Sequence, residues 1–406
     1  MEQTIHERMA AFGYREMRTP AFEPLDLFER GIGQETEIVN KEMYTFADLS
    51  GKSLALKPES TASAIRAYLE NNLNREAPLA RIYYLDTLFR QEKPQKGRLR
   101  QFHQFGAEAI GSPHPEQDIE IIALAYDLCN MFGSELTIRL NTIGEPASRE
   151  SFLALLQKAL EPHAAALAPL DRERLQRNPL RIFDSKDQNT QQLLDRHAPR
   201  IHEHVAPADS EHFETVMAGL KVLGLPVTHD PKLVRGLDYY TRTTFEIIAS
   251  GLGSQNALCG GGRYDHLVEE LGGPSIPAVG FATGIERLLM VAGDVLATKV
   301  PATQVDVYFI FSDHEALQPV LELARDLRGA GYSVMVETLR RSMKAQFREA
   351  NRNGAKVTII MGADELAAGA VTLKVMETGH QETVVLGKVS AALGGHIQSQ
   401  GTVAGP

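Results

Sequence analysis

The 406-residue chain has a formal net charge of -10, with 43% hydrophobic and 23% charged residues. That is the balance of a folded globular protein of more than one domain, since a single core stops growing near ~250–300 residues. The acidic balance excludes a protein that coats nucleic acid by overall charge, and two cysteines far apart, Cys129 and Cys259, without a CxxC or a histidine cluster exclude a disulfide framework and a zinc site and fit a reducing cytoplasm.

In chain order, MEQTIHERMAAFGYREMRTP has scattered charges and no apolar run, which excludes a secretory signal, and residues 1–12 read as a helix. Short strands and loops punctuated by Pro20, Pro24 and Gly31 continue through GKSLALKPES. A helix then begins in STASAIRAYLENNL, with Ser60 or Thr61 as N-cap after Pro58 and Ile65, Tyr68, Leu69 and Leu73 at helical spacing. RIYYLDTLFRQE and RLRQFHQFGAEAIG are extended and joined by KPQKG, which predicts a hairpin, and a helix follows from about Pro115 to Phe132.

From roughly Gly144 to Pro226 the chain turns into charged helical segments, SFLALLQKAL and HFETVMAGLKVLG, around the loop NPLRIFDSKDQNT, and reads as an insertion. Strand patterns resume in KLVRGLDYYTRTTFEIIAS and NALCGGGRYD, and the unit closes near residue 295 with IPAVGFATGIERLLMVAG. That last stretch contains Glu286 and Arg287, so it falls short of the ~18 uncharged apolar residues a membrane span needs. Beyond LATKVPATQ, strands such as VDVYFIFS and KVTIIMG alternate with helices, predicting a separate α/β domain with a mostly parallel sheet.

Side chains of one parity share a strand face. In the hairpin the even positions are Arg90, Glu92, Phe102, Gln104, Gly106 and Glu108, a floor on which a small polar molecule could lie over Gly106; the odd positions, Phe89, Phe105, Ala107 and Ala109, suit a core. The turn concentrates Lys93, Lys96, Arg98 and Arg100 with only Glu92 near enough to pair, a density suited to phosphates, or else a solvated basic turn.

FRQEKPQKGRLRQFHQFGAE resembles the second class-defining motif of the class II aminoacyl-tRNA synthetases, and nearly the whole chain resembles the histidyl-tRNA synthetase family. The resemblance implies an α+β catalytic core with an antiparallel sheet over 1–144 and 227–298, a mainly helical insertion over 145–226 and an α/β anticodon-binding domain over 304–397. It implies Arg90 on the ATP α-phosphate, Phe102 stacked on adenine, Arg98 also at the nucleotide, and the 93–100 turn at the tRNA acceptor end, where Gln95 and Lys96 are the expected contacts. LKPESTASAIRAY resembles the segment that binds the amino acid's ammonium group, which carries over Glu59 and Thr61; Ser60 stands where the family usually has Gly, and Lys57 where it often has Arg.

VRGLDYYTRTTFEI and ALCGGGRYD resemble the two segments specific to the histidine enzymes. They imply Arg235 beside the substrate carboxylate and the α-phosphate, Tyr240 with Glu108 at the imidazole, and Tyr239 and Gln104 lining the same pocket. Read as strand residues, the two tyrosines would point to opposite faces unless a twist or bulge intervenes, and three glycines before an Arg mark a turn or a close backbone approach. AVGFATGIERLL resembles the third class motif, with Arg287 on the ATP tail. In the C-terminal domain Arg341, Lys344, Arg348 and Arg352 fall on one face of a single helix, a basic stripe for tRNA or a solvated face.

The implied activity is histidine activation by ATP with Mg²⁺ and transfer to the 3′ end of tRNA(His), by a cytoplasmic homodimer with no metal held by protein side chains alone. The family usually carries a further segment before the helix that here starts near Met1, and an upstream extension is expected to raise stability. Two other classes compete: a synthetase-like regulatory subunit that senses histidine, which lacks the anticodon domain, and a general nucleotide-dependent ligase. Histidine-dependent exchange of pyrophosphate into ATP discriminates among the three.

Overall fold

The computed structural model describes the chain except residues 34–35, 37, 94–96, 133–134, 250–256, 300–304, 313 and 398–406. Gln95 and Lys96 therefore lie outside the described residues. Two compact units divide the chain, Met1–Leu296 and Ala297–Pro406.

The first unit is built on eleven strands: β1 (Arg15–Glu16), β2 (Phe22–Pro24), β3 (Thr45–Ala47), β4 (Ser53–Leu56), β5 (Ala80–Phe89), β6 (Gln101–Ile110), β7 (Leu136–Thr142), β8 (Val227–His229), β9 (Thr241–Ala249), β10 (Ala257–Arg263) and β11 (Ala278–Gly284). Eight of them form one sheet in the order β1-β5-β6-β11-β10-β9-β7-β8, and β2, β4 and β3 form a small separate sheet. Every pairing from β5 to β7 is antiparallel, whereas the short edge strands β1 and β8 run parallel to their neighbours.

Parity decides which face of this sheet is core. Phe105, Ala107 and Ala109 of β6, Phe245 and Ile247 of β9 and Val279 and Phe281 of β11 are buried against the helices Glu2–Ala11, Pro115–Asn130, Pro207–Val222 and Ile285–Lys299. The opposite face carries Ile82 and Tyr84 of β5 and is covered by the helix Thr61–Glu70 and by apolar side chains from the segment between β7 and β8, including Phe152, Leu156 and Leu175. The helical segment 145–226 thus serves both faces: Phe213, Val216 and Leu220 of its last helix join the first core, while the rest closes over Tyr239, Tyr240 and Tyr264.

Arg263, at the end of β10, is fully buried and anchors the sheet to the start of the helix Pro115–Asn130. Its guanidinium donates to Asp118, to Asp265 Oδ1 at 3.0 Å, and to the carbonyls of Ser112 at 2.8 Å and His114 at 3.2 Å. A planar fork with five donors fits this set where a lysine would not.

The second unit has the strands β12 (Val307–Phe311), β13 (Val334–Val336), β14 (Val357–Met361), β15 (Ala370–Val375) and β16 (Gln381–Val385) in the order β13-β12-β14-β15-β16. The sheet is mixed rather than mostly parallel: β12 runs parallel to β13 and β14, and β15 runs antiparallel to β14 and β16. The chain after β14 reverses through the short helix Ala363–Ala368 and Gly369, at a left-handed φ of 59°, too briefly for a parallel crossover. No helix among the described residues is long and apolar enough to cross a membrane.

Removing one member of a buried ion pair leaves the other charge uncompensated. Arg263→Leu is expected to lower the unfolding free energy by about 3–5 kcal/mol, read as a lower denaturant midpoint at unchanged slope; a loss within about 0.5 kcal/mol would show that Asp118 finds other partners.

Candidate active site

The site lies on the even-parity face, where strand register lines up a trough of small residues. Tyr84, Gly106, Ala282, Gly260 and Glu246 are successive partners across β5, β6, β11, β10 and β9. The next row includes Glu108, Gly280, Gly262 and Thr244. Larger side chains lie over the glycines: a Cβ at Gly106 would overlap the Tyr84 ring, one at Gly260 the Arg235 guanidinium, and one at Gly280 the Glu108 carboxylate. Glycine is needed here for close approach, not for unusual backbone angles. Gly106 is accordingly no open gap for a ligand, because Tyr84 occupies the space above it.

One cavity collects Glu59, Thr61, Arg90, Gln104, Glu108, Arg235, Tyr239 and Tyr240 with Tyr264, Gly260 and Gly280. Glu108 is 1% exposed. Its Oε1 accepts from Thr61 Oγ1 at 2.9 Å and Tyr84 Oη at 3.0 Å, and its Oε2 accepts from Tyr264 Oη. Burial outweighs those hydroxyls, which favour the ionised form, and pushes the carboxyl up to about 8. Glu59 caps the helix Thr61–Glu70 by accepting from the amides of Thr61 and Ala62, both at 2.8 Å. Ser60 is not the side-chain cap; its hydroxyl turns to Asp86 Oδ2 at 3.1 Å. Burial raises Glu59 above its ordinary value, against the pull of those amides.

Two guanidiniums face these carboxylates. Arg90 donates from Nε to the Pro58 carbonyl at 2.8 Å and sits 5.4 Å from the centre of the Phe102 ring; burial lowers its pKa below the ordinary arginine value. Arg235 rests in the slot over Gly260 and pairs with Glu246. Burial disfavours its charge, but the Glu246 carboxylate more than offsets this and raises its pKa.

Two family models match the chain, "Histidyl-tRNA synthetase" over residues 1–288 and "Anticodon binding domain" over residues 304–395. The histidine–tRNA ligase of Thermosynechococcus vestitus is 45% identical over 386 residues, covering 95% of this chain and 89% of that protein. That of Rubrobacter xylanophilus is 43% identical over 374 residues, covering 92% and 87%. The structure of apo S. aureus histidyl-tRNA synthetase superposes with a TM-score of 0.78 at 35% identity, covering 97% of this chain and 94% of that one. The chain belongs to the histidyl-tRNA synthetase family. A structure described as an ATP phosphoribosyltransferase regulatory subunit/histidyl-tRNA synthetase from Bacillus halodurans shares the fold, with a TM-score of 0.62 at 21% identity.

Within this synthetase framework, Tyr239 and Tyr240 reach one cavity because they lie in the turn before β9, not on a strand, so alternation does not apply to them. Their ring centres are 4.7 Å apart, and Tyr239 meets Tyr264 edge-on at 5.5 Å. Arg98, Phe102 and Arg287 are not among the residues lining this cavity. Arg98 is 3.2 Å from Glu92, and Arg287 packs over Gly284 and near Gly97 of the basic turn. Burial and the neighbouring Arg98 hold the Arg287 guanidinium below its ordinary value. Glu286 accepts from the backbone amide of His103 at 3.0 and 3.1 Å, fixing the start of the helix Ile285–Lys299 to β6.

Sequence reasoning missed Tyr84, Tyr264 and Glu246. Tyr84 carried a legible signal, since it shares even parity with Arg90 on the first hairpin strand; Tyr264 and Glu246 lie within ALCGGGRYD and VRGLDYYTRTTFEI, where no local pattern marks them out. In the C-terminal unit the expected stripe is broken. The helix is Met343–Arg352, so Arg341 precedes it, and Arg341 is held by Glu337 at 2.7 Å and Glu349 at 2.9 Å. Arg352 also pairs with Glu349, at 2.5 Å, which leaves Lys344 and Arg348 exposed and without an ion pair among the described residues.

A carboxyl raised from 4.5 to about 8 keeps its proton in the folded chain where the unfolded chain has released it. Its contribution to stability is therefore full below about 4.5 and is lost as pH rises to about 8. Between about pH 5 and about pH 8 the ligand-free chain should lose more unfolding free energy than Glu108→Gln does; parallel pH profiles from denaturant melts would overturn the assignment.

Proposed function

We propose that the cavity activates histidine with ATP and hands the histidyl group to the 3′ end of tRNA(His). The supporting observation is the order of groups around one cavity: two acidic side chains, Glu59 and Glu108, and two guanidiniums, Arg90 and Arg235. An amino acid with an imidazole side chain brings two groups for the acidic side chains, its ammonium and its ring N–H, and the guanidiniums suit its carboxylate and the α-phosphate. Glu59 takes the ammonium, because each of its oxygens can accept a second hydrogen bond beyond its backbone amide. Thr61 and Gln104 line that end, and Glu108 with Tyr240 and Tyr239 reads the ring.

In the first step the histidine carboxylate attacks the α-phosphorus and pyrophosphate leaves. Arg90 and Arg235 stabilise the charge on the transferring group, so catalysis is positioning and electrostatics with no protein nucleophile. Phe102 stacks on adenine, and Arg98 and Arg287 meet the nucleotide's phosphate tail. Mg²⁺ bound to the nucleotide would supply neutralisation of its phosphates. In the second step the terminal tRNA hydroxyl attacks the activated carbonyl and AMP leaves. The basic turn with Gln95 and Lys96 meets the acceptor end, and Lys344 and Arg348 meet the anticodon arm. Homodimeric assembly and a cytoplasmic location are carried over with this reading.

Histidine should drive exchange of labelled pyrophosphate into ATP on the purified chain, and binding of histidine without exchange would point to a sensor instead. Glu108→Gln should weaken histidine binding about 10- to 100-fold while changing ATP affinity little; unchanged histidine affinity by calorimetry would remove Glu108 from the ring pocket.

Lys344→Ala combined with Arg348→Ala should lower tRNA affinity and reduce the slope of log affinity against log salt by about 2. Pyrophosphate exchange should stay at the parent level, and an unaltered salt slope would place the anticodon arm elsewhere.

A further inference from the structure

An ion pair lies behind the cavity, and neither of its members lines it. The Lys57 side chain is 2% exposed, and its Nζ meets Asp86 Oδ2 at 2.7 Å. Nζ also donates to the Thr19 carbonyl at 3.2 Å and to Thr19 Oγ1 at 2.9 Å, which uses all three of its hydrogens. The same Asp86 oxygen accepts from Ser60 Oγ at 3.1 Å. Backbone bonds complete the lock, with the Phe89 amide donating to the Lys57 carbonyl at 3.0 Å and Arg90 Nε donating to the Pro58 carbonyl at 2.8 Å. Asp86 also pairs in register with Gln104, which does line the cavity.

We propose that Lys57 and Asp86 are positioning residues that hold the 57–61 turn against β5, so that Glu59 and Thr61 at one subsite and Arg90 at the other keep a fixed separation. Their role rests on the function proposed above. An apolar pair of similar volume could stabilise the fold as well as a buried ion pair does. What the charged pair adds is direction: Asp86 aims the Ser60 hydroxyl, and Lys57 fixes the strand that precedes Pro58. A turn left free to move would have to be ordered each time histidine or ATP binds, and that cost falls on binding at both subsites.

Three variants and two readouts test this: Asp86→Asn, Lys57→Arg, and Lys57→Met combined with Asp86→Leu, followed by exchange kinetics and by amide hydrogen exchange at Thr61 and Ala62. Asp86→Asn should raise KM for both histidine and ATP about 10-fold with kcat changed less than about threefold. It should also speed amide exchange at Thr61 and Ala62 while sparing the helix Pro115–Asn130. Lys57→Arg should bring both readouts back near the parent. The apolar double variant should unfold at the parent's midpoint yet keep the raised KM and the faster amides, and it decides the matter if Asp86→Asn fails to fold. Parent-like KM values and amide protection in either variant that breaks the pair would overturn the proposal. If the unmutated chain shows no histidine-dependent exchange, the function above fails, and the two amides still report whether the pair holds the turn.

Discussion

Taking the Glu108 carboxyl group out of water costs free energy unless hydrogen bonds replace its hydration, and Thr61, Tyr84 and Tyr264 supply those bonds from three separate parts of the chain. Because all three hydroxyls must converge on one side chain, the helix Thr61–Glu70, β5 and the end of β10 are committed to a single arrangement. The Tyr84 ring reaches Glu108 by crossing over Gly106, and Glu108 itself needs Gly280 beneath it. Glu108 is therefore both a wall of the cavity and the point where three elements are tied together.

The trough of small residues is what lets a sheet, whose side chains otherwise stand in close-packed rows, hold long polar side chains flat against its backbone. Gly260 admits Arg235, and Glu246 on the adjacent strand meets the guanidinium. The opposite face of the same strands is mainly apolar, with Arg263 buried against Asp118 as a polar tie, so the helices brace one side while the cavity opens on the other. The segment between β7 and β8 closes that chemical face with apolar side chains packed behind Tyr239, Tyr240 and Tyr264.

Electrostatics works on two scales. The chain as a whole is acidic, at -10, which suits solubility and disfavours indiscriminate contact with nucleic acid. Locally the cations are either tied to structure or presented. Arg263 and Arg341 are held by buried carboxylates and carbonyls, while Lys344 and Arg348 stand exposed. A cation that is already satisfied inside a unit adds little to a partner's phosphates, so the number of basic residues in a stretch overstates what a surface can offer.

Much of the architecture was readable before any coordinates. Strand alternation separated Phe105, Ala107 and Ala109 from Gln104 and Glu108, helical spacing found the helix after Pro58, and the GGG run signalled close backbone approach. These are short-range properties, fixed by the period of the element that carries them. Partner choice is not. Nothing local says that Tyr84 covers Gly106, that Glu59 rather than Ser60 caps a helix, that Glu246 meets Arg235, or that Arg341 turns inward to Glu337. Those contacts depend on strand register and on which side chain fills the space a glycine leaves, and both are set by residues far apart in the chain that meet only when the sheet has formed.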